Sequence, residues 1–336
     1  MGFTIEEIKE TFTSNFNNYL DSFFFLLKNP AWDNPFYIIL CIYFITFSLE
    51  VILPKKEKYP LIERKGFKLD LIYLFFIDFV VMAIGFYAMV SVVEKLFLDS
   101  LHIIGISTPL FNVDTLPVFI QFVIFFILVD FVQFLGHYLL HRIDFLWEFH
   151  KIHHAQEHLG FASTRHFHWF EYLVFKPLLY IPFGLLGYGV KYYVVYYLWI
   201  GLFFTFLSHC NIKINWGFMN YIVINPDTHF WHHSKNTPGR FGVNFASVLN
   251  IWDLLFGTFY LPKDKKPQLG VHDIKEIPLG FFGQMIYPFK SLIRKKTSII
   301  PQGEVEVVNL PKTATQENES SNESSNQKRK KFKKKK

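Results

Sequence analysis

Cysteine is almost missing from this chain. Cys41 and Cys210 are its only two cysteines in 336 residues, and their separation builds neither a disulfide framework nor a C-x-x-C metal site. The chain also lacks a cleavable leader pattern: "MGFTIEEIKE" is acidic, no small-residue cleavage site follows an apolar core, and Glu6 breaks the myristoylation pattern that Gly2 begins. A basic body is missing too, despite the formal charge of +6. The last nine residues, "KRKKFKKKK", hold eight of the 34 basic side chains, which leaves 26 against 28 acidic ones. The body is therefore near −2, and nucleic-acid binding is not expected of it.

What is abundant is apolar and aromatic. Hydrophobic residues make up 51% of the chain and aromatics 20%, with 42 Phe, a composition typical of membrane proteins. A helix needs roughly 20 apolar residues to cross the hydrocarbon core. Phe36 to Leu53, Leu71 to Val93 and Pro117 to Leu135 meet that need. A fourth apolar region, Leu173 to Leu207, is broken by "GYGVK" at 187–191 and reads as two short spans or one re-entrant pair. Loop charge then orients the spans. The segment "PKKEKYPLIERKGFK" has six basic and two acidic residues, whereas the next loop holds Glu94, Lys95, Asp99 and Asp114. The first loop is expected on the cytoplasmic side, and with it every clustered histidine.

The expected fold is an all-α membrane protein of about four to five transmembrane helices, with a helical cap on the cytoplasmic face. Three regions are expected: an N-terminal segment 1–30, a membrane-embedded domain 31–290, and a disordered tail 291–336. The tail's polar stretch and basic end suit contact with anionic membrane lipid, at about 1 kcal/mol per basic residue near the surface. Its final Lys333 to Lys336 also fit a dilysine retrieval signal in a eukaryote.

The chemistry sits in histidine, of which there are fourteen. "HYLLH" carries His137 and His141, "EFHKIHH" carries His150, His153 and His154, and "HFWHH" carries His229, His232 and His233. On a helix, residues three and four apart share one face, so each run is expected to aim its imidazoles in one direction. A metal takes three to five ligands, and eight nitrogens suit two metals with positions left open. Sequence alone does not choose among iron, zinc and copper. A zinc hydrolase would need a general base, but no H-E-x-x-H occurs and Glu148 precedes its cluster. A metal transporter would place its site at the bilayer midplane, and a haem subunit would need only one pair of histidines.

"HYLLHR", "WEFHKIHH" and "HFWHHSKN", followed by "IWDLLFGT", resemble the histidine boxes of the fatty acid hydroxylase/sterol desaturase superfamily, over about residues 117 to 260. The resemblance implies a centre of two iron ions, with O2 as co-substrate and those eight histidines as ligands. It implies a hydroxylase or desaturase acting on an unactivated C–H bond of a sterol, a fatty acyl or sphingolipid chain, or a glyceryl ether. No His-Pro-Gly-Gly segment is present, so a separate electron donor, cytochrome b5-like or ferredoxin-like, is expected. The setting is the bacterial inner membrane, or the endoplasmic reticulum in a eukaryote. His209 is the candidate for a ninth ligand, with His168 and His158 as weaker ones. The Arg-x-His pattern common in the family is displaced here, because His166 stands where Arg is usual, though His168 and Glu171 keep its second half. Asp130, seven residues before His137, is expected either to orient a ligating histidine or to be a plain buried acceptor. Asn244 and Asp253 are placed near the third box by the same resemblance, with Gly257 and Thr258 ending that element.

Overall fold

The computed structural model describes residues 4–81, 86–106, 113–175, 178 and 198–295. The expected tail from residue 296 onward and most of the expected hairpin at 173–207 lie outside them. The described residues are helical, with isolated bridges but no strand: α1 Ile5–Lys28, α2 Pro35–Ile52, α3 Phe67–Phe75, α4 Phe86–Ile103, α5 Val118–Arg142, α6 Asp144–His154, α7 Phe203–His209, α8 Pro226–His232, α9 Ile251–Phe256 and α10 Phe281–Lys295. Single π-helical segments continue α3 over Phe76–Val80 and precede α7 over Leu198–Leu202.

Two of these helices, α2 and α5, are long and apolar enough to cross a membrane. Both begin at proline, which donates no N–H where a helix has no use for one. Pro35 is the first residue of α2 and Pro117 caps α5. Asn34 caps α2 by accepting from the Phe36 N–H, while its side-chain amide donates to the carbonyls of Leu26 (2.8 Å) and Asn29 (2.7 Å). One side chain thus ties the end of α1 to the start of α2. Phe44, Val51 and Ile52 on α2, and Val118 and Phe119 on α5, remain exposed, as a lipid-facing surface would. Of the expected span 71–93, α3 and its π segment cover 71–80 and α4 covers 86–93, and 82–85 lie outside the described residues.

Three packed cores hold the histidine-bearing helices in place. Ile38, Ile42 and Tyr43 of α2 close on Phe206 of α7. Phe67 of α3 joins Phe161, Ala162, Leu207, Cys210 and Ile212. Tyr73, Ile77 and Val81 meet Ile152 of α6 and Tyr287 of α10. The basic loop between α2 and α3 is stitched to the later chain. Its Glu57 N–H donates to Asn211, the Tyr59 hydroxyl to the Leu159 carbonyl (2.7 Å), and Arg64 to the His158 carbonyl (3.0 Å). Lys56 pairs with Asp227 at the start of α8.

A buried ion network lies under this loop. Arg64 pairs with Asp70 at 2.5 Å, both fully buried, and His166 meets the other Asp70 oxygen at 2.6 Å. Gly160 is required where it stands, because a Cβ there would lie 2.8 Å from Glu50 and 2.9 Å from Arg64. Removing one partner of a buried pair leaves an uncompensated charge, at a cost of about 3–5 kcal/mol. Arg64→Ala is expected to destabilise the fold by that amount, read as a lowered unfolding midpoint in detergent. An unchanged midpoint would show that Asp70 does not depend on the guanidinium.

Candidate metal centre

The joint between α5 and α6 is one residue long. Ile143, with extended backbone (φ −98°, ψ 111°), ends one helix and begins the next. That tight corner folds His150 and His154 of α6 back against His137 and His141 of α5. The third box starts as abruptly: Asn225 caps α8 by accepting from the Asp227 and Thr228 N–H groups, and Pro226 is the first helical residue. His229 therefore enters within the first turn. His209 closes α7.

These helices bring nine histidines into two groups. His137, His141, His150, His154 and His232 form one, and His153, His209, His229 and His233 form the other, with ligand-type nitrogens within 4.8 Å of one another in each. All eight box histidines are included, and His209 joins them. The expectation that each H-x-x-H-H run aims in a single direction is corrected. Positions i and i+4 stand about 40° apart around a helix, while i+3 and i+4 diverge by about 100°. In the second box His150 and His154 share the five-membered group and His153 turns to the other. In the third box His229 and His233 share the four-membered group and His232 turns to the first. The two runs are interleaved in opposite sense.

The placement of protons tests whether a cation fits. A carbonyl can only accept, so a ring nitrogen bonded to one must carry the proton. His137, His153, His209 and His232 direct Nδ1 to the carbonyls of Phe245 (2.9 Å), His166 (3.2 Å), Thr205 (2.8 Å) and Val243 (2.8 Å). His150 directs Nδ1 to the Glu171 carboxylate at 2.8 Å. The four carbonyl-bonded rings then have a bare lone pair on Nε2, as His150 has when Glu171 is ionised. Yet His137 Nε2 lies 3.2 Å from His150 Nε2, and His209 Nε2 lies 3.2 Å from His153 Nε2. Two lone pairs facing each other make no hydrogen bond. His141 Nε2 and His232 Nε2 are buried with no partner at all. A positive ion within each group satisfies all of these atoms at once, so the donor set fits two metals of the imidazole-binding kind.

Burial pushes His150, His153, His154, His229, His232 and His233 well below the ordinary histidine value of 6.5, and neighbouring imidazoles add to the shift. They are neutral near pH 7, the state that binds metal. Glu171 is pushed up to about 8 by its burial, against a hydrogen bond from the His168 N–H. A cation on His150 favours its ionised form, which then orients that ring.

The supporting acids divide by what they touch. Asp130 does not meet a histidine. It accepts from the N–H groups of Val248 (2.9 Å) and Leu249 (3.1 Å) and from the Trp252 indole (2.9 Å), which corrects the expectation that it orients a ligand and leaves the plain-acceptor reading. Asp253 accepts from the N–H groups of Phe245 (2.7 Å) and Ala246 (2.8 Å) and from Thr258 (2.6 Å). It holds the turn whose Phe245 carbonyl receives His137. Gly257 ends α9 in the left-handed region, as expected. Asn244 sits at φ 56° and bonds the Thr228 and Tyr260 carbonyls at 2.8 Å each, so it staples α8 to the segment after α9.

His158 and His168 are corrected as ligand candidates. His158 accepts from the Lys65 N–H and stacks on Tyr59 at 4.3 Å. His168 engages both ring nitrogens elsewhere, with the Met285 carbonyl and the Phe170 N–H. His166, out of place against the usual pattern, bridges Asp70 and Gln284. Sequence reasoning leaves Glu171 without a role, and its only signal is the spacing from His168.

A cavity of about 230 Å³ opens beside both groups. His137 and His150 reach it from one group, and His153, His209 and His229 from the other. Its remaining wall is largely apolar, with Phe167, Tyr172, Phe175, Leu198, Leu202 and Ile224, relieved by Gln133, Thr164 and Arg165.

Residues 122–258 match the fatty acid hydroxylase family. Ornithine lipid hydroxylase OlsE of Rhizobium tropici is 33% identical over 187 residues, covering 54% of this chain and 54% of its own. Alkylglycerol monooxygenase of Xenopus tropicalis is 30% identical over 145 residues, 42% of this chain and 30% of that one. Methylsterol monooxygenase 1-3 of Arabidopsis thaliana is 27% identical over 180 residues, 52% of this chain and 59% of that one. The chain therefore spans between 30% and 59% of the length of these relatives. No solved structure matches it.

Two outcomes are expected of the metal-free protein. The buried histidines have folded pKa values below the unfolded 6.5, so they contribute stability above pH 6.5 that is lost as the pH falls from there. The unfolding temperature of metal-stripped protein should drop as pH falls below 6.5, and a flat profile would contradict neutral burial. Glu171→Gln, which removes the carboxylate from His150, should weaken divalent-metal affinity by about 10–100-fold. Competition with a chelator of known affinity measures this, and parent-like affinity would remove Glu171 from the site.

Proposed function

The chain belongs to the fatty acid hydroxylase/sterol desaturase superfamily, and on that premise we propose that it is a membrane-bound, O2-dependent lipid hydroxylase. The nine named histidines would hold two iron ions. The observation that carries the reading is the apolar cavity lined by histidines of both groups, since a lipid chain laid there would lie against both. Iron bound in such a site supplies reductive activation of O2, so that R–H, O2, two electrons and two protons become R–OH and water.

The residues do the positioning. Phe167, Tyr172, Phe175, Leu198, Leu202 and Ile224 line the cavity and would exclude water from a lipid chain held there. Glu171 and the carbonyls of Phe245, His166, Thr205 and Val243 fix the tautomers that aim Nε2 inward. An all-imidazole set adds no charge of its own. The relatives' printed names include ornithine lipid hydroxylase, alkylglycerol monooxygenase and methylsterol monooxygenase, which favours hydroxylation over desaturation and a lipid as substrate.

The site stands at the cytoplasmic edge of the membrane in this reading, among four to five spans of which α2 and α5 are two. Two observations support it. His137 and His141 lie in the last turns of α5, and the basic loop after α2 is bonded to Leu159, Asn211 and Asp227 beside the boxes. Electrons would come from a separate protein.

Metal analysis on freshly purified, ferrous-loaded protein tests the core of this reading. The parent should carry about two irons per chain, and His141→Ala and His153→Ala, one from each group, about one or fewer. One tightly held zinc with no iron uptake would replace the hydroxylase with a hydrolase.

A further inference from the structure

We propose that two loops beside the third histidine box form a docking rim for an acidic, one-electron carrier protein. The inference rests on the hydroxylase reading, whose stoichiometry calls for two electrons, and adds where they enter. Residues 235–240 and 261–272 hold five basic side chains and one acid, Asp264. The loops run together: the Lys235 N–H donates to the Gln268 carbonyl (2.9 Å), the Gln268 N–H to Ser234 Oγ (3.0 Å), and the Gly270 N–H to the His233 carbonyl (3.2 Å). Lys263, Lys265 and Lys266 are exposed and Lys235 is half-buried.

Of the nearby acids, only Asp144 offsets a rim cation, pairing with Arg240 at 3.3 Å. Asp273 pairs with Lys151 at 2.7 Å and Glu157, beside Gly270, with Lys65, which leaves Lys235, Lys263, Lys265 and Lys266 against Asp264. The rim also lies at the end of the spanning helix and not along it, since Arg142, the last residue of α5, stacks on the Phe241 ring at 4.4 Å. Among the described residues, no large apolar side chain is exposed between Ile222 and Ile251 or between Phe256 and Leu279. A surface that is cationic, without apolar anchors and beyond the helix end fits a soluble acidic protein better than a bilayer. Lys235 is two residues from His233 of the four-membered group, at most about 7 Å of chain. Each docked carrier is oxidised by one electron, and two dockings supply one turnover.

The test uses the full chain in detergent and oxidised acidic [2Fe–2S] ferredoxin as the probe, with binding measured calorimetrically. Charge steering weakens as the Debye length shrinks from about 30 Å at 0.01 M salt to about 8 Å at 0.15 M. The parent is expected to lose at least about tenfold in affinity over that range. The combined variant Lys263→Glu, Lys265→Glu, Lys266→Glu should lose at least about tenfold at low salt while keeping its metal content, and Lys9→Glu on α1 should bind like the parent. Equal affinity for the parent and the triple variant, an equal loss in Lys9→Glu, or no ferredoxin binding at low salt would overturn the rim. Lipid hydroxylation driven by dithionite tests the enzyme separately. If ferredoxin binds and the triple variant loses it, but dithionite supports no hydroxylation, the rim stands and the hydroxylase reading falls.

Discussion

Everything in this fold answers to one electrostatic constraint: nine imidazoles are gathered into two groups, and His137, His153, His209 and His232 turn bare Nε2 lone pairs into them. Desolvation keeps the rings neutral, and carbonyl acceptors choose which nitrogen keeps the proton. Without a cation the arrangement is repulsive. The scaffold has to be stiff enough to hold it anyway, and the surrounding hydrogen bonds show how that is done.

The stiffness comes from acids that serve the backbone. Asp130 gathers two amides and an indole from the segment after the third box, and Asp253 gathers the two amides of Phe245 and Ala246, just before them, and the Thr258 hydroxyl. Each satisfies several donors that would otherwise be orphaned in an apolar setting. Asn244 does the same for α8. The chain thus commits carboxylates to fixing loops, and through those loops to fixing carbonyls such as that of Phe245, which in turn fix the rings. Among the described carboxylates, Glu171 is the one that acts directly on one of the nine gathered rings.

Much of the site is legible in the sequence because its signal is local. The i, i+3 and i, i+4 spacings of histidine survive any tertiary arrangement, and His209 stands out by its place at the end of an apolar run. What stays hidden depends on which atoms face each other across long sequence separations. Asp130 reads from sequence as a neighbour of His137 on one helix, but its partners are 118 to 122 residues away. The split of each box between two groups escapes a reading that takes i+3 and i+4 as one face, because those two positions straddle it. The spans are less legible than the site. α2 and α5 emerge as expected, whereas the run 71–93 is only partly described: it carries a π-helical segment over Phe76–Val80, within which Asp78 pairs with Arg165.

The opposed interleaving of the second and third boxes has a consequence for assembly. The two groups share α6 and α8, each of which contributes to both. Filling one position would clamp the two helices in the orientation that the other needs, so a second ion would meet ligands already ordered. Loading would then be cooperative, and a cell short of metal would hold full and empty chains with few half-filled ones.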